Sequence, residues 1–244
     1  FIKNHKKESN DKSSTNVSEN TCEDIPDTSI SDTSIADTNT PDTSISETEI
    51  LKQTYENNKE QFYISEIPED IFEKMQGKSY KADCILPKEN LRYIHVLHVG
   101  FDNQVHEGEL VANKDIADDV LEIFKELYES GYQIEKVRLV DEYDADDEAS
   151  MSDNNSSAFN FRFISHTTKI SKHGMGMAVD INTLYNPYVK TVDGELSIEP
   201  ANAADYVDRS RDFSHKIDHD DLCYKLFTEH GFEWGGDWTD FKDY

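Results

Sequence analysis

Residues 171–180, with the sequence Ser-Lys-His-Gly-Met-Gly-Met-Ala-Val-Asp, place an imidazole and a carboxylate seven residues apart across two glycines. In an unbroken strand side chains alternate between faces, so His173 and Asp180 would point in opposite directions. In a helix they would share a face but lie about 10 Å apart along the axis. Neither geometry lets both side chains contact one metal ion, because bonds from zinc to protein ligands are only about 2 Å long. We therefore predict that the chain bends between them, at Gly174 and Gly176.

A bend of this kind predicts a zinc site. Catalytic zinc ions are held by three ligands of the His, Asp or Glu type, and a fourth position is left for water. His173 and Asp180 are two such ligands, so a third has to come from elsewhere. If the two side chains share an ion, their ligating atoms should lie within roughly 4 Å of each other.

Further motifs surround this stretch in a fixed order. The pattern Ser-x-His-x-x-Gly-x-Ala-x-Asp at residues 171–180 resembles the first zinc motif of the M15 family of peptidoglycan peptidases. That family includes D-alanyl-D-alanine carboxypeptidases and L-alanyl-D-glutamate endopeptidases. Three other segments are similar to the family: Ser157-Ala-Phe-Asn-Phe-Arg162, Leu184-Tyr-Asn-Pro-Tyr-Val189 and Gly231-Phe-Glu-Trp-Gly-Gly-Asp-Trp238. The resemblance covers residues from about 70 to 244.

The resemblance implies a site built from separate parts of the chain. It implies Zn²⁺ as the cofactor, His173 and Asp180 as metal ligands, and Asp243 as the catalytic base that takes a proton from water. In the family the third ligand is a His, and by the same register it is expected two residues beyond Tyr244. The domain is therefore expected to be truncated at its C-terminus, and a degenerate, inactive homologue is the alternative.

Three further residues are predicted to contribute to substrate binding. The resemblance implies that Arg162 pairs with a carboxylate or carbonyl of the substrate, and a surface salt bridge is the alternative. Trp238 is expected to shape the cleft wall together with Trp234. Ser171 is expected to hydrogen-bond the local backbone beside the zinc motif. His215, with His219 four residues later, is a weaker candidate for a substitute metal site.

The function that the resemblance implies is zinc-dependent hydrolysis of peptidoglycan stem peptides. The Trp-Gly-Gly-Asp-Trp form at residues 234–238 resembles the endopeptidase branch, which favours the L-Ala-D-Glu bond. The alternatives are a D-Ala-D-Ala carboxypeptidase and a non-catalytic module that binds the cell wall. We expect a monomer located outside the cell or at the cell surface, in a bacterial cell wall.

Composition divides the chain in two and excludes some partners. Residues 1–55 are rich in Ser, Thr, Asp and Asn, carry repeats of Asp-Thr-Ser-Ile, and are predicted to form a disordered tether. Residues 56–244 are predicted to form the peptidase domain. With 24 Lys and Arg against 51 Asp and Glu, the net charge of −27 argues against nucleic acid and against contact of the folded domain with an anionic membrane.

Residue patterns within the domain predict an α+β fold with helices packed on an antiparallel sheet. A hairpin is predicted from strands at 92–99 and 105–111, with His95, His98 and His106 on its solvated face. A further strand is predicted at 136–140, helices are predicted at 114–130 and 222–230, and a short helix or turn is predicted at 71–75. Cys84 and Cys223 are interpreted as free thiols, and a disulfide between them is the alternative.

Overall fold

The computed structural model describes residues 1–4, 58–164 and 168–244. Of the predicted tether, residues 5–55 lie outside the described residues, so the prediction of disorder stays a prediction. Residues 1–4 differ from it, because they belong to the folded domain. Ile2 pairs with both Ala178 and Glu233, and the Phe1 ring is buried against Phe227. Four residues are too few for a pattern in the sequence to predict this, and they are held because the backbone at Ala178 and at Glu233 pairs with Ile2.

The predicted hairpin is the centre of the domain. Strands β1 (Tyr63–Ser65), β2 (Leu91–Val99) and β3 (Val105–Asn113) form an antiparallel sheet with β2 in the middle. The hairpin pairs Val99 with Val105, and Asn103 adopts the positive φ of 59° that its tight turn requires. The expected solvated face is wrong for His98, which is buried, since the packing of the domain covers both faces of β2.

Helices cover this sheet as the apolar spacing predicts. Helix α1 spans Glu69–Met75, and α2 spans Ala117–Glu129 and packs on β2. The inward face of α2 carries Val120, Ile123, Phe124 and Leu127, all buried. Gly131 follows with a φ of 67°, so it ends the helix as predicted.

Two short parallel strands connect the sheet to the rest of the domain. The strand predicted at 136–140 is shorter in the structure: β4 is Lys136–Val137, and it pairs with β5 (Asn155–Ser156) after helix α3 (Asp147–Ser152). The pairing ends after Val137 because the Asn155 side chain, instead of a strand backbone, bonds the backbone groups of Arg138. Its amide accepts from Arg138 N and donates to Arg138 O, each at 2.9 Å.

The C-terminal part contributes a second antiparallel sheet. Its strands are β6 (Tyr188–Val192), β7 (Glu195–Glu199) and β8 (Phe241–Asp243), with β6 in the middle. Helix α4 (Leu222–Glu229) precedes β8, and Gly231 follows the helix with a φ of 79°. The α+β prediction with antiparallel sheets and packed helices is confirmed, apart from the parallel pair.

The two cysteines of the described domain are free thiols: Cys223 is fully buried and Cys84 is half-buried. Cys22 lies outside the described residues.

Within the part of the chain that the structure describes, no helix is both long and apolar enough to cross a bilayer.

Candidate active site

His173 and Asp180 converge as the spacing predicts. His173 Nε2 lies 3.2 Å from Asp180 Oδ2, inside the limit of roughly 4 Å set for a shared ion. Both side chains are largely buried, at 11% and 20% exposure. The prediction that the two ligating atoms meet is therefore confirmed, while their binding of zinc stays a prediction.

The bend that brings them together has a defined structure. Residues His173–Met175 form one turn of 3₁₀ helix, which Gly176 closes with a φ of 65°. A side chain at Gly176 would also collide with Asn113 N, so the position needs glycine for both conformation and space. Gly174 has no positive φ, and it is required instead because Ile170 and the backbone of Arg162 pack against it. The prediction of a bend is thus confirmed, with the two glycines in different roles.

His173 is oriented by a backbone carbonyl. Its Nδ1 lies 2.6 Å from Ala158 O, and because a carbonyl only accepts, Nδ1 has to carry the proton. This leaves Nε2 as the nitrogen that faces Asp180, which is how a metal-binding histidine is usually held. Burial lowers the pKa of His173, but the charge and hydrogen bond of Asp180 outweigh it and raise the pKa above its ordinary value.

Asp180 is fixed through its backbone. It exchanges two hydrogen bonds with Ser157, from Ser157 N to Asp180 O at 3.1 Å and from Asp180 N to Ser157 O at 2.9 Å. Burial raises the pKa of the Asp180 carboxyl, but the neighbouring His173 outweighs this and holds it below its usual range. The carboxylate is therefore ionised, as a metal ligand has to be.

Asp243 lies in strand β8, beside this pair. Its backbone is opposite Tyr188 of β6. Burial raises the pKa of Asp243, and the nearby charge of Asp180 raises it further. A carboxylate with a raised pKa is a better proton acceptor near neutral pH than an ordinary Asp. The structure therefore places the predicted base near the charge of Asp180, and its role as the base stays a prediction.

The Trp-Gly-Gly-Asp-Trp motif holds Asp243 in place. A Cβ atom on Gly235 would overlap the Cβ and backbone of Asp243, and one on Gly236 would overlap the ring of Trp234. Gly235 thus lets β8 come close, and Gly236 lets a buried indole come close, which explains why two glycines stand in sequence here.

Arg162 belongs to the segment before the zinc motif, and it interacts electrostatically with the site. Its charge acts on His173, Asp180 and Asp243. Its Nε lies 2.5 Å from Asp147 Oδ2, as an ion pair without hydrogen-bond alignment. Asp147 also accepts from Asn160 Nδ2 at 2.7 Å. Arg162 therefore has the acidic partner of the salt-bridge alternative, and its pairing with substrate stays a prediction.

The remaining predicted substrate residues lie at the edges of the site. Ser171 is buried, and its Oγ accepts a hydrogen bond from His173 N at 3.2 Å, so it stabilises the turn as expected. Trp238 is half-buried and packs edge-on against Phe241 at 5.1 Å between ring centroids. Phe241 in turn contacts Tyr188 at 5.4 Å. Trp238 thus connects to Asp243 through a row of aromatic rings.

The substitute metal site at His215 and His219 does not form. Residues 213–221 are turns and irregular backbone instead of a helix, so spacing by four residues no longer brings the rings together. His215 stacks on Phe101 at 3.7 Å between ring centroids. His219 Nε2 bonds Asp237 Oδ1 at 2.8 Å.

The donor set fits zinc as two of three ligands. His173 Nε2 is oriented for a metal, Asp180 is ionised, and both belong to the classes that zinc prefers. No group of three or more His, Cys, Asp or Glu suited to a metal ion occurs among residues 1–4, 58–164 and 168–244.

Two residues next to the site, Asp147 and Ala158, are not predicted from the sequence. Asp147 belongs to an acidic run that looks like a solvated loop, and only the fold places its carboxylate against Arg162. Ala158 contributes a carbonyl oxygen, which no side-chain pattern can reveal. Asp146 could have indicated that Asp147 lies in a structured segment, because Asp is a common helix N-cap residue. In the structure the Asp146 side chain does cap a helix, since it accepts a hydrogen bond from Ala149 N.

Comparison with known proteins gives one match. A family model for M15 peptidases, described as D-alanyl-D-alanine carboxypeptidase, matches residues 165–244. That range contains His173, Asp180 and Asp243, and it begins after Arg162. No curated protein and no solved structure matches the chain.

Proposed function

Because residues 165–244 match a family model for M15 peptidases, we propose that the protein is a zinc-dependent peptidase that hydrolyses peptidoglycan stem peptides. The observation that carries the proposal is the approach of His173 Nε2 to Asp180 Oδ2 at 3.2 Å, with a further carboxylate nearby at Asp243. A His, an Asp and a separate carboxylate close together suit metal-assisted hydrolysis of a peptide bond.

His173 and Asp180 would hold the metal as two of its three protein ligands. When bound, zinc would polarise the scissile carbonyl and lower the pKa of water. The bond from Nδ1 of His173 to Ala158 O keeps the ring in the tautomer and orientation that such binding needs. Asp180 contributes the negative charge of an ionised carboxylate, which attracts a divalent cation.

Asp243 serves as the general base. Its raised pKa matches the task of accepting a proton from the attacking water and donating it to the leaving amine. The carboxylate is held by β8, which Gly235 allows to pack closely. A base fixed on a strand keeps its distance to the reacting water constant from one turnover to the next.

The other predicted residues orient the peptide. Arg162 pairs with a carboxylate or carbonyl of the substrate, and Asp147 limits where its guanidinium can point. Trp238 and the aromatic rings beside it form one wall of the cleft. Ser171 Oγ accepts a hydrogen bond from His173 N, so its effect on the substrate is indirect.

The bond cleaved is proposed to be L-Ala-D-Glu, because the Trp-Gly-Gly-Asp-Trp form resembles the endopeptidase branch. D-Ala-D-Ala carboxypeptidase activity is the second candidate, and the description of the matching family model favours it. We place the protein outside the cell or at the surface of the cell wall, where such substrates occur, and we expect it to act as a monomer.

Comparing two lengths of the protein tests the proposal. A form that continues through a histidine two residues after Tyr244 should bind zinc tightly in calorimetric titration and cleave purified muropeptides, while the 244-residue form should bind zinc weakly and cleave little. Product masses identify the bond. Equal, tight zinc binding by both forms would place the third ligand inside the described domain or the tether. Binding of muropeptides without cleavage by the longer, zinc-loaded form would indicate a non-catalytic wall-binding module.

A further inference from the structure

A row of polar side chains crosses the C-terminal sheet next to the site. In the register of this sheet Tyr188 of β6 is directly opposite Glu199 of β7 on one side and Asp243 of β8 on the other. Directly opposed residues in antiparallel strands share a face, with Cβ atoms about 4.5–5.5 Å apart. The three side chains therefore emerge on one face, with Tyr188 between two carboxylates.

Tyr188 lies beside the proposed site because it pairs directly with Asp243. Burial raises the pKa of Tyr188, and the negative charges of Glu199 and Asp243 add to this, while Arg162 lowers it. Asp243 belongs to the proposed site, so the phenol lies next to the position proposed for the substrate.

The Tyr188 hydroxyl is also unoccupied. It makes no hydrogen bond with any of the described residues, and it is absent from their buried polar atoms that lack a partner, so it is in contact with solvent. Tyr185, three residues earlier in the same motif, differs because its hydroxyl interacts with Tyr206. A tyrosine held by a sheet, with its hydroxyl open to the cleft, is available to a ligand.

We propose that Tyr188 is a further catalytic residue, whose hydroxyl donates a hydrogen bond to the carbonyl oxygen of the scissile peptide bond. This inference rests on the proposed function. Water adds to the carbonyl carbon, the carbonyl oxygen gains the negative charge, and Asp243 takes the proton from the water. A donor already in place stabilises that oxygen more as its charge grows. Tyr188 keeps its proton throughout, since the carboxylates beside it disfavour a phenolate.

The test is Tyr188→Phe in the zinc-loaded form that carries the third histidine. The phenyl ring keeps the packing on Phe241 and removes only the hydroxyl. We expect kcat for muropeptide cleavage to fall by about 10- to 100-fold with KM nearly unchanged, because the bond strengthens mainly in the transition state. Tyr185→Phe is the matched control and should retain full activity. Zinc content and the thermal unfolding midpoint should be the same in all three proteins.

A second measurement is independent of turnover. A phosphinate analogue of the stem peptide copies the tetrahedral transition state, and Tyr188→Phe should weaken its binding by the same factor as kcat/KM, with little change for the uncleaved peptide. The inference is overturned if Tyr188→Phe cleaves as fast as the wild type, if only KM rises, or if zinc content falls along with activity. If the wild type itself neither cleaves nor binds muropeptides, the proposed function fails first.

Discussion

Two buried histidines of this domain share one feature and differ in another. His173 in the bend and His98 in strand β2 each have Nδ1 bound to a backbone carbonyl, at 2.6 Å to Ala158 O and at 2.7 Å to Ile134 O. Burial lowers the pKa of both. Yet the pKa of His173 ends above its ordinary value, whereas that of His98 falls to about 4.

The difference comes from what faces each ring. Asp180 stands 3.2 Å from His173 Nε2 and stabilises a positive charge there. His98 stacks on His106 at 5.5 Å between ring centroids, and His106 and Arg138 both disfavour such a charge. A site that favours positive charge attracts a proton or a metal ion, and a site that opposes it stays neutral. Burial alone therefore does not identify a candidate metal ligand, but a buried carboxylate beside the ring does.

The largest effect is expected from Asp243, the second carboxylate near His173. Asp243→Asn, in the longer zinc-loaded form, should lower kcat by about two to four orders of magnitude, because it removes the proton acceptor and keeps the ligands. Zinc content should be unchanged. Asp240→Asn, an exposed acid in the same segment, is the control and should stay active. Full activity of Asp243→Asn would move the role of base to another acid, such as Asp237.

The next effect concerns the carboxylate that faces His173. Asp180→Asn replaces an anionic ligand by a neutral amide, so zinc affinity should fall by at least about 100-fold, the upper range seen when only an outer-shell partner is removed. Calorimetric titration of the longer form measures this. Zinc binding should also release protons and weaken as the pH falls, since His173 has to lose its proton first. Unchanged zinc affinity in Asp180→Asn would remove the contrast between the two histidines.

Whether the sequence predicts these contacts depends on how far apart the residues lie along the chain. The meeting of His173 and Asp180 is predictable because only seven residues and two glycines separate them. The approach of Asp243 comes only from the family resemblance, because strand β8 reaches the site by pairing with β6, about fifty residues earlier. The burial of His98 is not predictable from its alternating strand, which looks half-solvated until the packing of β1 and α2 around β2 is known.

The neutral histidine predicts a stability effect of intermediate size. Below pH 6.5 the unfolded chain protonates His98, while the folded chain does so only near pH 4, so the unfolded state binds more protons in this window. Folding stability should therefore fall as the pH falls from 6.5 to 4, by about 3 kcal/mol from this residue.

His98→Asn tests this, because its amide can still donate to Ile134 O but does not titrate. Urea unfolding at pH 7, 5.5 and 4 should show a shallower loss of stability than in the wild type. His106→Asn on the exposed partner ring is the matched control. An equal pH dependence in His98→Asn and the wild type would mean that folding does not lower the pKa of His98.

The smallest effect is expected from Asp147, which restrains Arg162 without touching the bend. The ion pair is partly exposed, at 38% for Arg162 and 30% for Asp147, and such pairs contribute about 0.2–1 kcal/mol. Asp147→Asn should therefore raise KM for muropeptides by about two- to fivefold and leave kcat nearly unchanged, since the guanidinium keeps its charge but loses its fixed orientation. Asp144→Asn, in the same acidic run and paired with Lys78, should change neither constant.

The effect of Asp147→Asn on KM should vanish when Arg162 is already replaced by Ala, because Asp147 then has no guanidinium to orient. A fall in kcat of Asp147→Asn that persists in the Arg162→Ala background would instead connect this carboxylate to the chemistry at His173 and Asp180.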